Sequence, residues 1–252
     1  MTDIYKQAVI ELIYKMADDQ LIIGHRNSEW TGLGPILEED IAFSSMAQDK
    51  IGQAQALYQL LHELGEADPD TLGFMRNANQ FHCCHLVQLP IGEYSFSLMR
   101  HFLFDHAEAL RFEMLSKSSY EPLAKLARKY KGEIKYHTFH ADTWLKQLGK
   151  ANEESHQKMQ DALNECYNMA LGIFENGPFD HILISEQIFE GEEKLKERWM
   201  EQITKVLSIS TLEIPTNTEA IYGGRKGKHT EFLQPLLDEM TEVYKIDPSA
   251  EW

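Results

Sequence analysis

The sequence predicts an all-α protein built on a four-helix bundle with additional helices. Apolar residues recur at helical spacing through most of the chain, and alternating strand-like segments are few and short. Four of the periodic segments are long enough to form the bundle. The predicted bundle helices span residues 4–24, 35–64, 94–116 and 121–148, and further helices span 70–86, 152–174, 192–208 and 229–245.

Helix start and stop signals set these boundaries. Pro35 suits the first turn of the second bundle helix, and Gly65 lies just past its end. Asp68-Pro69-Asp70 marks the start of the next helix, Gly149 follows the fourth bundle helix, and Asn176-Gly177-Pro178 follows the helix over 152–174. The chain has no internal repeat, low-complexity tract or linker, so we expect a single domain over residues 1–252, with residues 210–227 as its one long irregular stretch.

Composition excludes several classes of partner. The chain has 40 acidic and 24 basic residues, a formal charge of −16, which argues against binding nucleic acid or anionic membranes. No stretch approaches 18 consecutive apolar residues, and the N-terminus lacks an export signal. Cys83 and Cys84 are adjacent and Cys166 is the only other cysteine, which does not suit a disulfide framework. We therefore expect a cytoplasmic protein that neither spans a membrane nor is exported.

Each predicted bundle helix places a polar residue on its apolar face. The first contributes Gln20, the third Asp105 and the fourth His137, whereas two polar residues interrupt the stripe of the second helix. These five side chains could meet at one depth in the bundle. The positions that define this predicted cluster are Gln20, Lys50, Gln53, Asp105, Ile134 and His137.

The spacing in this cluster matches that of a metal site, but most of the residues at the ligand positions cannot bind a metal. Carboxylate-bridged metal bundles carry Glu-x-x-His on two helices, where this chain carries Lys50-x-x-Gln53 and Ile134-x-x-His137. Bridged irons need several anionic oxygen ligands and neutral imidazoles, but lysine is cationic and isoleucine cannot ligate. We therefore predict no metal, no cofactor and no catalytic residue. Instead, the Lys50 ammonium replaces the metal charge against Asp105, and Gln20, Gln53 and His137 meet the remaining hydrogen-bonding needs.

Three other patterns favour structural interpretations. His82-Cys83-Cys84-His85 would point in four directions on a helix, whereas zinc ligands are usually spaced by two or more residues, so we expect buried cysteines and solvent-facing histidines. His101, Asp105 and Glu108 share a helix face and could bind a metal, although His101 could equally serve an interface. The stretch 223–230 partly matches a phosphate loop, but Tyr222 replaces the first glycine and no strand precedes it. A basic glycine-rich turn that contacts an acidic partner is the alternative.

Sequence blocks in order along most of the chain resemble a known family. They are the runs 17–30 and 34–42, Gln48 to Ala54, Arg100 to Asp105, Tyr136-His137 with Asp142 and Trp144, Glu153 to His156, and Gly224-Arg225 with Gly227 and His229 to Glu231. In these blocks the chain resembles the C subunit of the bacterial phenylacetyl-CoA epoxidases, which are multicomponent monooxygenases.

The resemblance implies a ferritin-like fold and a non-catalytic role. In that system a catalytic A subunit of the same fold holds the di-iron centre, and the C subunit pairs with it. The catalytic paralogue has Asp-Glu-x-Gly-His where this chain has Asp49 to Gln53, and Glu-x-x-His where it has Ile134-x-x-His137. The resemblance thus implies that ligand positions are replaced at Lys50, Gln53 and Ile134, with Gln20 near the fourth.

The leading hypothesis is a structural subunit of this oxygenase in aerobic phenylacetate degradation. Its expected partner is the catalytic A subunit, in a heterodimer or higher oligomer, with the small B subunit and the reductase as further candidates. One rival is a divergent ferritin-like metal oxidase that uses Asp105, His137, His101, Glu108 and further carboxylates not yet assigned, which metal content would reveal. The other is a free-standing helical homodimeric binding protein, which would not co-purify with the A subunit.

Overall fold

The described part of the protein, residues 2–248 and residue 250 of a computed structural model, contains helices and no strands. This confirms the all-α prediction. Short 3-10 segments cover Ala78–Gln80, Gly172–Phe174, Gly224–Lys226 and Tyr244–Ile246. The α-helices are α1 (Asp3–Ser28), α2 (Leu37–Glu63), α3 (Pro69–Phe74), α4 (His85–Gln88), α5 (Tyr94–Leu115), α6 (Glu121–Ala151), α7 (Glu153–Leu171), α8 (Asp180–Ser185), α9 (Glu192–Ile209) and α10 (Leu233–Thr241).

The four long helices α1, α2, α5 and α6 carry the bundle. Their inward apolar faces join one buried cluster together with those of α7 and α9. Gly24 permits a close approach of α1 and α2, because a Cβ there would press on the Ile51 side chain. Polar contacts join α2 to α5, α5 to α6 and α1 to α5 across the interior. The arrangement is consistent with the ferritin-like bundle that the sequence predicts.

The bundle helices begin and end near their predicted limits. α1 continues to Ser28 rather than ending at residue 24, and α2 begins at Leu37, so Pro35 lies outside its first turn. Gly65 follows α2 with φ +93°, as its role as a stop signal predicts. α6 runs through Gly149 to Ala151. Gly149 is a packing position, not a stop signal, because a Cβ there would collide with the carbonyl oxygen of Ser210.

The predicted helix over 70–86 is wrong. α3 ends at Phe74, and residues 81–84 are non-helical before α4 begins at His85. The backbone N–H of His82 donates to Asp18 (2.6 Å) and that of Cys84 donates to Asp19 (2.8 Å), both on α1. These carboxylates replace the hydrogen bonds that a helix would supply, so the segment is held extended against α1.

The C-terminal part also differs from the prediction. α10 covers only Leu233–Thr241 of the predicted 229–245, since Thr230 and His229 bind the side chain of Gln88 instead of starting a helix. The short helix α8 was not predicted. None of the helices formed by the described residues has the length and apolar content needed to cross a membrane.

Candidate functional site

The centre of the bundle holds a fully buried ion pair between Lys50 of α2 and Asp105 of α5. The Lys50 ammonium also lies 4.9 Å from the ring centroid of Phe104. Burial alone would raise the pKa of Asp105, but Lys50 and then His101 hold it well below its ordinary value. The carboxylate therefore stays charged beside the ammonium, in the contact that the sequence predicts.

Two histidines complete the surroundings of Asp105. His101, one turn earlier on α5, contacts the second carboxylate oxygen through Nδ1, while burial lowers its pKa to about 4 against the opposing charge of Asp105. His101 is thus neutral near pH 7. His137 of α6 places Nδ1 at 3.6 Å from Asp105 and Nε2 at 3.0 Å from Asp49. Burial opposes protonation of His137, but the two aspartates outweigh it and raise its pKa.

The two glutamines bind other carboxylates. Gln20 donates to Glu108 on α5 (3.0 Å), and Gln53 donates to Glu133 on α6 (3.0 Å). Ile134 is buried in the apolar core. The expectation that Gln20 and Gln53 serve the Lys50 and Asp105 pair is therefore wrong, since each donates to a different carboxylate. We call the six positions Gln20, Lys50, Gln53, Asp105, Ile134 and His137 the central site.

Several functional contacts beside the central site are not evident in the sequence. Asp49 and Glu133 bridge α2 and α6 from the edges of the helices, and the first turn of α2 contributes Glu39, which receives hydrogen bonds from His140 (2.9 Å) and Tyr94 (2.6 Å). Asp49 and Glu133 lie off the apolar stripes, so a walk by steps of three and four misses them. Glu39 is buried four residues before Phe43, so the same walk continued into the first turn of α2 reaches it. For Asp49 and Glu133, proximity along the chain to Lys50 and His137 is the only signal.

The residues of the central site do not fit a bridged di-iron centre. The Lys50 ammonium contacts the one inward aspartate, and Ile134 supplies no donor atom. Glu108, a ligand in the rival oxidase hypothesis, is engaged by Arg111 (2.9 Å) and Gln20. Over residues 2–248 and 250, no group of three or more His, Cys, Asp and Glu side chains is placed to hold a metal ion. The side chains at the central site therefore do not fit a di-iron centre.

The cysteine-histidine motif and the basic glycine-rich turn pack against each other and against α1. Cys83 and Cys84 are buried as expected, but the histidines are not solvent-facing. His85 is buried with Nε2 2.7 Å from the Lys228 carbonyl, and half-buried His82 approaches the Arg225 carbonyl (3.2 Å). Arg225, in the basic glycine-rich turn, points inward to Asp19 (2.7 Å). The turn is therefore a strap across α1, with its arginine unavailable to an acidic partner.

Comparison with known proteins decides the family. The chain matches the family described as phenylacetic acid catabolic protein over residues 1–252. The protein belongs to this family. It is 32% identical over 239 residues to the C subunit of the 1,2-phenylacetyl-CoA epoxidase of Escherichia coli strain K12, covering 94% of this chain and 96% of that relative. The A subunit of the same epoxidase is 26% identical over 185 residues, covering 71% of this chain and 57% of that relative.

These similarities agree with the resemblance found in the sequence blocks. Within the phenylacetic acid catabolic protein family, the chain aligns with almost the whole of the epoxidase C subunit but with little more than half of the A subunit. Both epoxidase subunits are therefore relatives of this chain, and the similarity to the C subunit is the more extensive.

Proposed function

We propose that this protein is the structural, non-catalytic C subunit of a phenylacetyl-CoA-epoxidising monooxygenase. It forms one ferritin-like domain over residues 1–252, acts in the cytoplasm and pairs with the di-iron A subunit in aerobic phenylacetate degradation. The observation that carries the proposal is the similarity to the epoxidase C subunit over 94% of the chain. The buried ion pair of Lys50 with Asp105 supports the non-catalytic role.

The physical basis is that the ion pair makes the bundle independent of a metal. A buried carboxylate needs a compensating charge, and the Lys50 ammonium supplies it from α2 while Asp105 lies on α5. The central site therefore holds helices together without iron. In this proposal the fold is retained for its surface, which supports the active-site helices of the A subunit, and the oxygen chemistry takes place in that subunit.

Reconstitution with the cognate A subunit tests the proposal. We expect the two chains to elute as one complex in gel filtration and phenylacetyl-CoA epoxidation to require both, together with the other components. The chain alone should show no turnover. If it elutes by itself and epoxidation is the same without it, the proposal is wrong, and self-association in that experiment would favour the homodimeric binding protein.

A further inference from the structure

The charge of this protein is divided unevenly between α6 and the rest of the chain. α6 carries seven Lys and Arg residues and three Asp and Glu residues, whereas the remainder carries seventeen and thirty-seven. One helix of net charge +4 therefore lies on a body of net charge −20. Such a local reversal of sign steers binding toward a partner with the opposite charge.

Four of the seven cations of α6 form a ridge together with two exposed aromatic residues. Successive residues of an α-helix are 100° apart, so these cations and aromatic residues all lie on one outward face of α6. Tyr136 is 49% exposed and Phe139 is 67% exposed. We call this face the α6 ridge, and it consists of Lys125, Arg128, Lys129, Gly132, Lys135, Tyr136 and Phe139.

Two of the four cations on the ridge form neither an ion pair nor a ring contact within the described part of the protein. Arg128 pairs with Glu121, and Lys129 lies over the Tyr130 ring at 4.7 Å. Lys125 and Lys135 form no ion pair with any carboxylate in the described part of the chain. Solvated lysines are common on helices, but Lys135 lies beside two large exposed rings, Tyr136 and Phe139, and aromatic residues are typical of interface centres.

Gly132 gives the ridge a second, independent feature. It lies in the middle of a 31-residue helix, where glycine is less favourable than alanine, and a Cβ there would meet nothing within 4 Å. No packing within the described chain requires the missing side chain. A glycine at an exposed helix position lets another backbone approach closely. The gap at Gly132 therefore fits a crossing helix from another chain.

The neighbouring face of α2 extends the same surface. The Tyr130 hydroxyl donates to the Gly52 carbonyl (3.4 Å), so this part of α2 lies beside α6. Gly52 also has open space beyond its Cα. Every exposed residue of α2 from 41 to 59 is uncharged, in a chain of which 25% is charged. These residues are Ile41, Ser45, Gln48, Gln55 and Gln59.

We propose that the α6 ridge, with the uncharged face of α2 beside it, docks an acidic helix of the catalytic A subunit. This inference rests on the proposed function and names the surface through which it works. Carboxylates of the partner helix meet the lysines, the helix backbone crosses at Gly132, and Tyr136 and Phe139 form the apolar part of the contact. The ridge is about 21 Å long from Lys125 to Phe139, which suits a helix.

A phosphate-bearing small molecule fits this surface less well. The cations are spread along a convex helix, whereas sites for small molecules are concave and bury most of their ligand. Free coenzyme A is nevertheless a useful probe, since its phosphates would bind lysines. Its binding to the ridge would be an alternative outcome.

The test measures the Kd for the cognate A subunit with ridge variants and matched controls. Gly132→Gln and Gly132→Ala both improve the helix propensity of α6 and should raise Tm, but only glutamine fills the gap. We expect Gly132→Gln to weaken binding at least about tenfold and Gly132→Ala less. Lys135→Glu should weaken binding about tenfold and reduce the salt dependence. Its control, Lys205→Glu on the exposed face of α9, should bind as the wild type does.

The outcomes separate this inference from the proposed function. If the wild type binds the A subunit and the ridge variants bind equally well, the docking surface is wrong and the proposed function stands. If the wild type does not bind the A subunit, the proposed function fails. Loss of coenzyme A binding, or of self-association in gel filtration, in the ridge variants with unchanged A-subunit binding would also overturn the proposed docking.

Discussion

Two of the buried ionic clusters in this bundle differ in how completely their polar atoms are paired. The first is the central site, where Lys50 and Asp105 are flanked by His101 and His137. The second, which we call the Glu192 network, consists of Lys15, Glu108, Arg111 and Glu192. Gln20 of the central site joins the two clusters, because it donates a hydrogen bond to Glu108.

The Glu192 network is closed. Glu192 receives Lys15 and Arg111 at 2.6 Å each, and Arg111 turns its Nε to Glu108 (2.9 Å). Two cations therefore match two carboxylates and tie the start of α9 to α1 and α5. Each charged side chain of the network forms an ion pair that joins helices, and a fully paired buried network is expected to rigidify the core.

The central site is less complete. Nε2 of His101 and Oε1 of Gln53 are buried and have no hydrogen-bond partner among the described residues. Native interiors rarely leave such groups, so each has a reason. The central site thus retains polar groups beyond those its ion pair needs. The proposed loss of a metal site from this bundle would account for these additional polar groups.

The largest expected effect is in the Glu192 network. Arg111→Leu leaves buried Glu108 without its ion-pair partner and Glu192 with Lys15 as its one remaining partner among the described residues, and we expect the free energy of unfolding to fall by about 3–5 kcal/mol in urea denaturation. The matched control is Arg198→Leu on α9, whose partly exposed pair with Glu113 should contribute about 0–1 kcal/mol. Equal losses in the two variants would show that the network does not carry the stability assigned to it.

The next effect concerns the central pair. Lys50→Met should reduce the free energy of unfolding by about 3 kcal/mol, because it leaves Asp105 charged and buried with only histidines. Adding Asp105→Leu should restore much of this loss, with a coupling of about 1–3 kcal/mol in a double-mutant cycle. His101 and His137 still lose an acceptor, so recovery is incomplete. If the single and double variants unfold alike, the pair is not the stabilising unit.

A smaller effect is expected in acid, where the Glu192 network should lose part of its contribution to folding stability. Burial alone would raise the pKa of Glu192, but Arg111 and Lys15 lower it to about 2, from an ordinary value of 4.5. A lowered pKa contributes stability above the unfolded pKa, and this is lost as pH falls toward the folded pKa. Denaturation from about pH 5 downward should therefore show a steeper loss in the wild type than in Glu192→Gln. Parallel profiles would refute the assignment.

The smallest effect concerns His137. Its raised pKa, in which Asp105 and Asp49 together outweigh burial, contributes stability that is present below the unfolded pKa and lost as pH rises through the folded pKa. Histidine resonances in NMR titration should show the His137 pKa above its ordinary value in the wild type and lower in Asp49→Asn. Asp142→Asn, which removes the partner of His106, is the control and should leave His137 unchanged.

Helical periodicity was enough to predict the long helices and the inward residues. α1, α2, α5 and α6 follow the helical repeat, and the same repeat brings Lys50 and Asp105 to the interior. It could not predict that residues 81–84 are extended, since that depends on Asp18 and Asp19 of α1, which lie 64 and 65 residues before His82 and Cys84. Long-range acceptors are invisible to a local pattern.

The partners of the two glutamines show the same limit. A shared helix face predicts which side chains point inward, but not which of several nearby carboxylates each will bind. Gln20 binds Glu108 because Arg111 holds that acid one turn from Asp105, and Gln53 binds Glu133 at the edge of α6. Neither acid lies among the positions that the ligand spacing singled out. Distances between elements, rather than residue types, decided these contacts.

Iron content tests the central claim most directly. The purified chain, alone and after anaerobic incubation with ferrous iron and desalting, is measured by metal analysis and visible absorption, with the cognate A subunit treated in parallel. We predict strongly substoichiometric iron and no di-iron absorption for this chain, and no extra iron when it joins the A subunit. Iron at about two ions per chain, with a di-iron spectrum that is lost in Asp105→Leu, would contradict a central site held by Lys50 in place of metal.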